Sequence, residues 1–550
     1  MEASFSSIQR SVVLERLATE DLDLLVVGGG ITGAGIALDA QSRGIKTGLI
    51  EMQDFAAGTS SRSTKLVHGG LRYLKQFEVK LVAEVGKERA IVYENAPHVT
   101  SPLWMMLPLY RKGTFGKFST FVGLTVYDRL AGVDRNERKH MLKKANALEK
   151  EPLLRKDGLK GAGYYVEYRT DDARLTLEVL KEAVSRGAAA VNYVKAEDFL
   201  YENGAVCGVR AVDRFTGEFR EIRAKKIINA AGPWVDRLRE KDRSKEGKEL
   251  HLTKGVHITI DNEKFPLGQA VYFDAPDGRM VFAIPREGKT YVGTTDTNYE
   301  GDLKHPRMTE SDRDYLLEAI RYMFPEVTLD PEDVESSWAG LRPLIHEEGK
   351  DPSEISRKDE IFESDSGLIT IAGGKLTGYR KMAEKVVDLA AKELAGSYLK
   401  SHTEHIHLSG GKVGGSEGFP NFVGGKIREG TTFGLTSGEA EKLADRYGSN
   451  VDRLYGILRK MGEEADYFGL SKAVFAMIVY AIEEEMAATP SDFFIRRTGG
   501  LYFHIDWVRK WKEPVIEYMA QRLHWPPELK EKHANDLEQR IVEATVPLKE

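Results

Sequence analysis

The chain has 550 residues, of which 41% are hydrophobic and 30% are charged, so it is too long for a small binding module and too apolar for a disordered protein. Its 79 Lys and Arg against 85 Asp and Glu give a net charge of -6, and no global positive field would collect nucleic acid. The single cysteine, Cys207, excludes an internal disulfide framework and a cysteine-cluster metal site, and no metal site is predicted.

Neither a signal peptide nor a membrane-spanning segment is predicted from the sequence. Residues 1–5 contain no basic segment followed by an apolar one, so a signal peptide is not predicted. The longest stretch without Asp, Glu, Lys or Arg covers residues 95–110 and contains three prolines, which is too short and too kinked to span a bilayer. We expect a cytoplasmic protein, with peripheral attachment to the inner face of the membrane left open.

The first predicted unit lies at residues 21–51. An apolar run at 21–27 predicts a buried parallel strand, residues 33–44 predict a helix, and residues 47–51 predict a second strand. Together they make a strand–turn–helix–strand unit of about thirty residues, the size of a βαβ unit.

The turn inside this unit carries the pattern Gly28-x-Gly30-x-x-Gly33. Glycines at these positions allow a tight turn, a close approach of the backbone to a pyrophosphate, and a free helix N-terminus for that anion. Glu51 closes the second strand, where a carboxylate would bind ribose hydroxyls and repel a 2′-phosphate. A dinucleotide site is predicted and NADP is disfavoured, but these residues alone leave FAD and NAD both open.

The middle of the chain predicts an antiparallel sheet, because several apolar runs alternate with polar residues and are joined by turns such as Asp277-Gly278. The predicted strands are 191–194, 205–212, 226–229, 257–260, 280–284, 291–294 and 368–371. Residues 402–425 are rich in Gly and Ser and predict a linker, while 437–447 and 472–485 predict helices of a separate C-terminal domain.

A long polar loop at residues 58–73 follows the second strand and could track a long cofactor. With this loop, the sequence resembles the FAD-dependent glycerol-3-phosphate dehydrogenases, within the D-amino-acid-oxidase-like flavoproteins. The matching motifs are the glycine pattern at 28–33, His-Gly-Gly-Leu-Arg-Tyr within 60–74, Asn-Ala-Ala-Gly-Pro-Trp at 229–234, Leu-Arg-Pro-Leu at 341–344, Ala-Gly-Gly-Lys-Leu-Thr-Gly-Tyr-Arg at 372–380, and Asp-Phe-Phe-Ile-Arg-Arg-Thr at 492–498.

The resemblance implies a mixed α/β fold with a Rossmann-like FAD-binding domain, an interleaved substrate domain on an antiparallel sheet, and a helical C-terminal domain. The expected boundaries are 21–95, 160–235 and 340–395 for the FAD-binding domain, 96–159 and 236–339 for the substrate domain, and 396–550 for the helical domain.

The resemblance also implies FAD as the cofactor. Some related flavoproteins attach the flavin covalently through His or Cys, but we expect noncovalent FAD, with His68 hydrogen-bonded in the cofactor loop. Gly373, Gly374 and Lys375 precede a predicted helix that starts near Leu376, and its N–H groups would suit a reduced flavin edge. The implied cofactor-binding residues are Gly28, Gly30, Gly33, Glu51, Thr59, Ser60, Lys65, His68, Gly69, Gly70, Gly232, Gly374, Lys375, Leu376 and Thr377.

Oxidation of a phosphorylated secondary alcohol needs a hydride acceptor, a proton acceptor and cations that orient the phosphate. The substrate-binding residues implied by the resemblance are Arg72, Tyr73, Arg342, Arg357 and Lys375. His257, Arg342 and Lys375 are the predicted catalytic residues. His257 is the candidate proton acceptor, and a hydrogen-bonded sheet histidine is the alternative interpretation.

The implied reaction converts sn-glycerol-3-phosphate to dihydroxyacetone phosphate and passes electrons to menaquinone or ubiquinone. The alternatives are a glycerophosphate oxidase that uses oxygen, an amine or amino-acid oxidase, and a flavin-binding sensor without turnover. A homodimer is a family-level expectation. Residues 101–130 mix apolar and basic side chains, including Trp104 and Lys112, and this pattern fits either a membrane surface or interior packing.

Overall fold

The computed structural model describes residues 5–68, 79–111, 138–347 and 358–549, together with 113, 116, 120 and 123–125. Eighteen strands lie in this part of the chain: β1 (Leu22–Val27), β2 (Thr47–Ile50), β3 (Leu66–Val67), β4 (Thr100–Tyr110), β5 (His140–Lys143), β6 (Leu159–Thr170), β7 (Ala189–Val191), β8 (Val194–Glu202), β9 (Ala205–Asp213), β10 (Phe219–Asn229), β11 (Lys248–Asp261), β12 (Ala270–Asp274), β13 (Met280–Arg286), β14 (Lys289–Gly293), β15 (Thr297–Asn298), β16 (Val334–Glu347), β17 (Glu360–Glu363) and β18 (Ile369–Ala372).

Sixteen α-helices lie in the same described residues: α1 (Arg10–Thr19), α2 (Ile31–Ser42), α3 (Val79–Asn95), α4 (Lys144–Lys150), α5 (Asp172–Ser185), α6 (Val235–Lys241), α7 (Glu310–Met323), α8 (Tyr379–Glu393), α9 (Gly415–Thr431), α10 (Ser437–Tyr447), α11 (Val451–Met461), α12 (Glu464–Tyr467), α13 (Lys472–Glu484), α14 (Gly500–Phe503), α15 (Ile505–Arg522) and α16 (Pro527–Thr545). A π-helix covers Asp492–Arg497.

The first sheet confirms the predicted N-terminal unit. Its strand order is β17-β18-β10-β1-β2-β7, and the β8–β9 hairpin extends from β10. The five strands from β18 to β7 run parallel. Helix α2 packs between α5 and α8 on this sheet. A parallel sheet covered by helices buries both faces of its strands, which explains why β1 is almost uniformly apolar.

The second sheet confirms an antiparallel sheet in the middle of the chain, but only three of the seven predicted strands, 257–260, 280–284 and 291–294, belong to it. The other four, 191–194, 205–212, 226–229 and 368–371, lie in the first sheet, because strand pairing and not the local pattern decides which sheet a strand joins. The strand order of the second sheet is β15-β11-β14-β13-β12-β4-β6-β3, with β16 paired to β11 and β5 paired to β6. The pairings are antiparallel except for β12 with β4, which are parallel. Strands β6 and β16 belong to this sheet, although the expected boundaries put all but the first residue of β6 and the second half of β16 in the FAD-binding domain.

Two local predictions differ from the structure. The strand predicted at 191–194 is two strands, β7 and β8, separated by a bend at Asn192 and Tyr193, where Tyr193 has a φ of 56°. The linker predicted at 402–425 ends at Gly414, because α9 starts at Gly415. Helix α9 contains Pro420 and several glycines, and its Gly430 packs against Tyr455 and Ala440 so closely that a Cβ would not fit. Packing therefore overrides the low helix propensity of this segment.

For part of the segment at 101–130, the structure distinguishes between interior packing and a membrane surface. Met105, Met106, Leu107 and Leu109 of β4 are buried in the second sheet, and Trp104 stacks on Tyr164 with 4.6 Å between ring centroids. These residues follow the interior-packing interpretation and not the membrane interpretation. Lys112 and the aromatic residues 115, 118 and 121 lie outside the described residues.

The helices after residue 400 form a third layer, and α10 and α13 match the two helices predicted there within one residue. Their buried side chains share a core with the second sheet. Phe503 of α14 contacts Trp338 of β16 and Tyr291 of β14, with ring centroids 5.4 and 5.7 Å apart. Among the described helices, none has the length and apolarity that crossing a bilayer requires.

Candidate functional site

The glycine turn between β1 and α2 is fixed by backbone contacts. The Gly28 N–H donates to the Ile50 carbonyl at 2.9 Å, and Gly28 has a φ of 120°. A Cβ on Gly28 would overlap the Ala230 carbonyl, and a Cβ on Gly33 would overlap the Gly28 carbonyl. The pattern is therefore required by the close approach of three backbone segments, not only by turn flexibility.

The N-terminus of α2 opens onto a cavity of about 510 Å³, here called the nucleotide cavity. Gly30, Ile31 and Thr32 line it. The first helical N–H, at Ile31, donates to the Ser60 hydroxyl at 2.9 Å. N–H groups at a helix start attract anions, which suits a pyrophosphate beside this turn.

Glu51 lies at the end of β2 and lines the nucleotide cavity. Its two carboxylate oxygens accept from the N–H groups of Gly29, at 2.7 Å, and Gln53, at 2.8 Å. Burial raises the pKa of Glu51 above its ordinary value, and the two N–H donors oppose that rise. The carboxylate is thus held rigidly at the position where it can meet a ribose.

Most of the predicted cofactor-binding residues converge on this cavity. Those that line it are Gly28, Gly30, Glu51, Thr59, Ser60, Gly232, Gly374, Lys375 and Leu376. Gly33 does not line the cavity, but its lack of a Cβ allows the Gly28 carbonyl to pack against it. His68 and Thr377 instead line the neighbouring cavity described next.

Lys65 does not match its predicted role. Its ammonium donates to Asp172 at 2.6 Å and to the Ser61 carbonyl at 2.9 Å, and it lines neither cavity. A lysine side chain that is almost fully buried needs a carboxylate partner, and Asp172 at the start of α5 provides it. Lys65 therefore anchors the cofactor loop to α5.

A second cavity of about 410 Å³, here called the cationic cavity, lies on the other side of this loop. His257, Arg342 and Lys375, the three predicted catalytic residues, all line it. The two cavities share lining residues, namely Thr59, Ser63, Pro343, Gly374, Lys375 and Leu376. A ligand that fills the nucleotide cavity can therefore reach a second ligand in the cationic cavity.

Arg342 projects from β16 into the cationic cavity and is held at its guanidinium. It donates to Asp296 at 3.2 Å, to the Thr294 hydroxyl at 2.9 Å and to the Thr295 carbonyl at 3.3 Å. Gly255 on β11 leaves the space that the guanidinium occupies, since a Cβ there would overlap it. Arg342 is thus oriented before any substrate binds.

His257 on β11 is 2% exposed. Its ring stacks on Trp338 with 4.8 Å between centroids, and its Nε2 lies 3.0 Å from the Thr64 hydroxyl. Burial, together with the charges of Arg342 and Lys65, lowers the pKa of His257 well below its ordinary value. The imidazole is therefore neutral near pH 7.

His68 also lines the cationic cavity. Its backbone N–H donates to the Thr377 hydroxyl at 3.1 Å. Burial and the charge of Lys375 lower the pKa of His68 to about 3. The contact with Thr377 is made by the backbone of His68, so a hydrogen bond of its imidazole in the cofactor loop stays a prediction.

Several lining residues were not predicted. Arg62 and Thr64 lie inside the loop at 58–73, and their place in that motif was an available signal. Arg62 donates to the Lys304 carbonyl at 3.0 Å. Asp296, Arg279 and Glu167 come from separate strands and connections of the second sheet, and no spacing in the sequence connects them. The predicted residues Gly69, Gly70, Arg72, Tyr73 and Arg357 lie outside the described residues.

Comparison with known families agrees with this geometry. The model of the FAD-dependent oxidoreductases matches residues 23–380, and the model of the C-terminal domain of alpha-glycerophosphate oxidase matches residues 401–530.

Individual relatives match over the full length. The chain is 60% identical over 554 residues to an aerobic glycerol-3-phosphate dehydrogenase of Bacillus subtilis, covering 100% of both chains. It is 57% identical to the enzyme of the same name from Staphylococcus haemolyticus, covering 98% of each.

Among solved structures, the glycerol-3-phosphate dehydrogenase of Bacillus halodurans complexed with FAD superposes with a TM-score of 0.87, at 54% identity and 99% coverage of both chains. Glycine oxidase of Bacillus cereus, at 20% identity, gives a TM-score of 0.51 over 70% of this chain and 99% of that one. The glycine oxidase likeness concerns the fold alone.

Proposed function

The chain belongs to the FAD-dependent oxidoreductase family and, within it, to the aerobic glycerol-3-phosphate dehydrogenases, and on this premise we propose that it oxidises sn-glycerol-3-phosphate to dihydroxyacetone phosphate with FAD and delivers the electrons to a membrane quinone. One observation carries the proposal. The nucleotide cavity and the cationic cavity meet at Gly374, Lys375 and Leu376, so a cofactor in one cavity is adjacent to an anionic substrate in the other.

The residues of the nucleotide cavity fit FAD. The start of α2 would hold the pyrophosphate through its N–H groups, Glu51 would bind a ribose, and the turn has no room for side chains at Gly28 and Gly33. FAD, when bound, supplies the hydride acceptor. Lys375 and the backbone around Gly374 lie where the two cavities join, and their positive character favours negative charge that develops there.

The cationic cavity fits a phosphate monoester. The guanidinium of Arg342 and the ammonium of Lys375 bring two positive charges to this cavity, and both attract an oxyanion. An amine substrate would meet repulsion from the same two cations. This charge pattern favours the glycerophosphate substrate over the amine-oxidase alternative.

His257 is the proposed acceptor of the hydroxyl proton. Its buried, neutral imidazole lines the cationic cavity, and stacking on Trp338 fixes the ring plane. The proton leaves the substrate oxygen as the hydride leaves the carbon, and the positive charge formed on His257 is offset by the product's phosphate. Arg342 holds the substrate in the orientation that this transfer needs.

An apolar wall of the cationic cavity supports a quinone as the electron acceptor. Leu66, Tyr272, Met280 and Phe282 line this wall, and Tyr272 stacks on Phe282 with 4.2 Å between ring centroids. A flat, apolar quinone ring packs well against such aromatic surfaces.

The first experiment is anaerobic reduction. The purified holoprotein is mixed with sn-glycerol-3-phosphate, and the absorbance of oxidised flavin is followed; sn-glycerol-1-phosphate serves as the matched control. We expect bleaching with the first compound and at least about 100-fold slower bleaching with its enantiomer. A yellow protein that stays oxidised with both compounds would contradict the substrate assignment.

The second experiment concerns the acceptor. The reduced protein is mixed with a soluble menaquinone analogue in detergent micelles or with oxygen at matched concentrations, and flavin reoxidation is timed. Faster reoxidation by the quinone supports the dehydrogenase proposal. Faster reoxidation by oxygen, with release of hydrogen peroxide, would make the protein a glycerophosphate oxidase.

A further inference from the structure

The segment 492–498 forms the π-helix Asp492–Arg497. The side chains of Arg496 and Arg497, in the C-terminal region, form hydrogen bonds with Asp54, a residue of the loop that follows β2. π-helical turns are rare and concentrate at functional sites. We call Asp54, Asp492, Arg496 and Arg497 the arginine cluster.

Asp54 is held from two sides by the arginine cluster. Arg497 binds its carboxylate with both terminal nitrogens, at 2.7 and 2.9 Å, and the Nε of Arg496 also donates to it. Arg496 donates in addition to Asp492 at 2.6 Å. All four side chains are buried, with at most 7% of each exposed. The buried carboxylate of Glu485 lies 3.9 Å from Arg497 as a further partner, so each buried arginine is paired with carboxylates.

The loop that contains Asp54 is a wall of the nucleotide cavity. Met52, Gln53, Ala57 and Gly58, on either side of Asp54, all line it. Asp54 itself points away from the cavity into the arginine cluster. The cluster therefore sets the position of this wall without touching a bound ligand.

A second wall of the nucleotide cavity is tied to the same π-helix. Val194, Lys195 and Ala196 line the cavity, and the hydroxyl of the preceding residue, Tyr193, donates to Asp492 at 2.6 Å. The two walls also bind each other, because the Tyr193 N–H donates to the Gln53 carbonyl at 2.9 Å.

The two carboxylates of the cluster differ in their pKa, since burial and the charge of Asp54 raise the pKa of Asp492. Burial acts to raise the pKa of Asp54, but the neighbouring charges of Arg497 and Arg496 prevail and lower it to about 2. Asp54 thus stays ionised, and the contacts with both arginines persist across the range in which the protein is handled.

We propose that the arginine cluster is a positioning device for the cofactor, through which the C-terminal region sets the affinity of the nucleotide cavity for FAD. Arg496, Arg497 and Tyr193 act through the loop at 51–58 and the segment at 193–196. The inference rests on the FAD assignment in the proposed function. It predicts that breaking the cluster weakens FAD binding beyond any loss of overall stability.

The test measures the dissociation constant of FAD by flavin fluorescence on full-length apoprotein, and the thermal midpoint of the same apoprotein by circular dichroism. The variants are Arg496→Met, Arg496→Lys and Tyr193→Phe. The matched control is Arg43→Met, because Arg43 is a buried arginine that also bridges two carboxylates, Asp39 and Asp388. Arg43 lies at the far end of α2, about 18 Å from the glycine turn, and lines neither cavity.

We expect Arg496→Met to weaken FAD binding by at least about 30-fold and Arg496→Lys to recover part of that loss. Tyr193→Phe should weaken it by about 3-fold to 5-fold while the apoprotein midpoint hardly changes. Arg43→Met should lower the midpoint but leave the FAD dissociation constant within about 2-fold.

The outcomes separate the hypotheses. An unchanged FAD dissociation constant in both Arg496→Met and Tyr193→Phe would overturn the inference, as would an equal loss in Arg43→Met. If Arg496→Met does not fold, Tyr193→Phe decides the question alone. Failure of the wild-type apoprotein to bind FAD would refute the proposed function instead.

Discussion

The two cavities differ in what builds them. The nucleotide cavity is made largely of backbone and small residues from short, continuous segments, such as Gly28 to Gly33 and Glu51 to Ser60. The cationic cavity is made of side chains that converge from β11, β13, β16 and the loop at 58–68. The first should fail when the backbone is disturbed, and the second when a single charge or ring is removed. Substitutions in one cavity should therefore spare the function of the other.

The largest effect is expected from Arg342→Met, which should lower kcat/KM for glycerol-3-phosphate by about 1,000-fold while the FAD content stays unchanged. The variant removes the guanidinium that we propose binds the phosphate, and it leaves Asp296 without the donor that it accepts from. Arg342→Lys keeps the charge and should recover part of the loss. Steady-state kinetics and the flavin spectrum measure both parts. Loss of FAD from Arg342→Met would contradict the expectation that a substitution in the cationic cavity leaves the nucleotide cavity functional.

His257→Gln should lower the limiting rate of anaerobic flavin reduction by about 100-fold. In the wild-type protein the limiting rate should not fall between pH 8 and pH 6, because burial, Arg342 and Lys65 keep the pKa of His257 well below 6.5. A histidine of ordinary pKa would lose about four-fold over the same range. Stopped-flow measurements at saturating substrate give both results. A rate in His257→Gln equal to that of wild type would exclude this residue as the proton acceptor.

Gly33→Ala should weaken FAD binding by about 30-fold and leave the substrate cavity intact. A Cβ at this position overlaps the Gly28 carbonyl, which is backbone and cannot move aside as a side chain would. Gly424→Ala is the matched control, because a Cβ there meets open space in α9. Fluorescence titration of the apoproteins measures the difference. Equal affinities in the two variants would show that the turn tolerates side chains.

The same contrast between the two cavities explains which site residues the sequence alone can predict. The strand–turn–helix unit and Glu51 are contiguous, so spacing alone located the nucleotide cavity. Arg342 and His257 lie 85 positions apart on paired strands, and only family resemblance connected them. Asp296 could not be found, because its role depends on which strands of the second sheet become neighbours. Local sequence patterns predict local structure. A site built from distant strands depends instead on how those strands pair, which the pattern of each strand does not reveal.

Two glycine-rich segments show where a local sequence pattern predicts structure and where it fails. The turn at 28–33 is identifiable from the sequence, because its glycines are followed by an apolar helix pattern. The segment from Gly410 predicts a linker, yet Gly411 is buried and α9 begins at Gly415. A Cβ on Gly411 would overlap the Asn95 carbonyl at the end of α3, and that requirement is visible only once the two segments are in place.

The smallest expected effect concerns Glu51, and it tests whether the nucleotide cavity responds to pH where the cationic cavity does not. Burial raises the pKa of Glu51 above 4.5, so its negative charge is lost at a higher pH than for an exposed carboxyl, as the pH falls through the raised value. FAD affinity should therefore decline as the solution is acidified from pH 7 toward pH 5. Glu51→Gln should bind FAD about 10-fold more weakly at pH 7 and should lose this pH dependence, because an amide keeps one acceptor oxygen but does not titrate in this range. Fluorescence titrations across this range on both proteins measure the effect. A parallel decline in Glu51→Gln would assign the pH response to another group and leave Glu51 with only its contacts to Gly29 and Gln53.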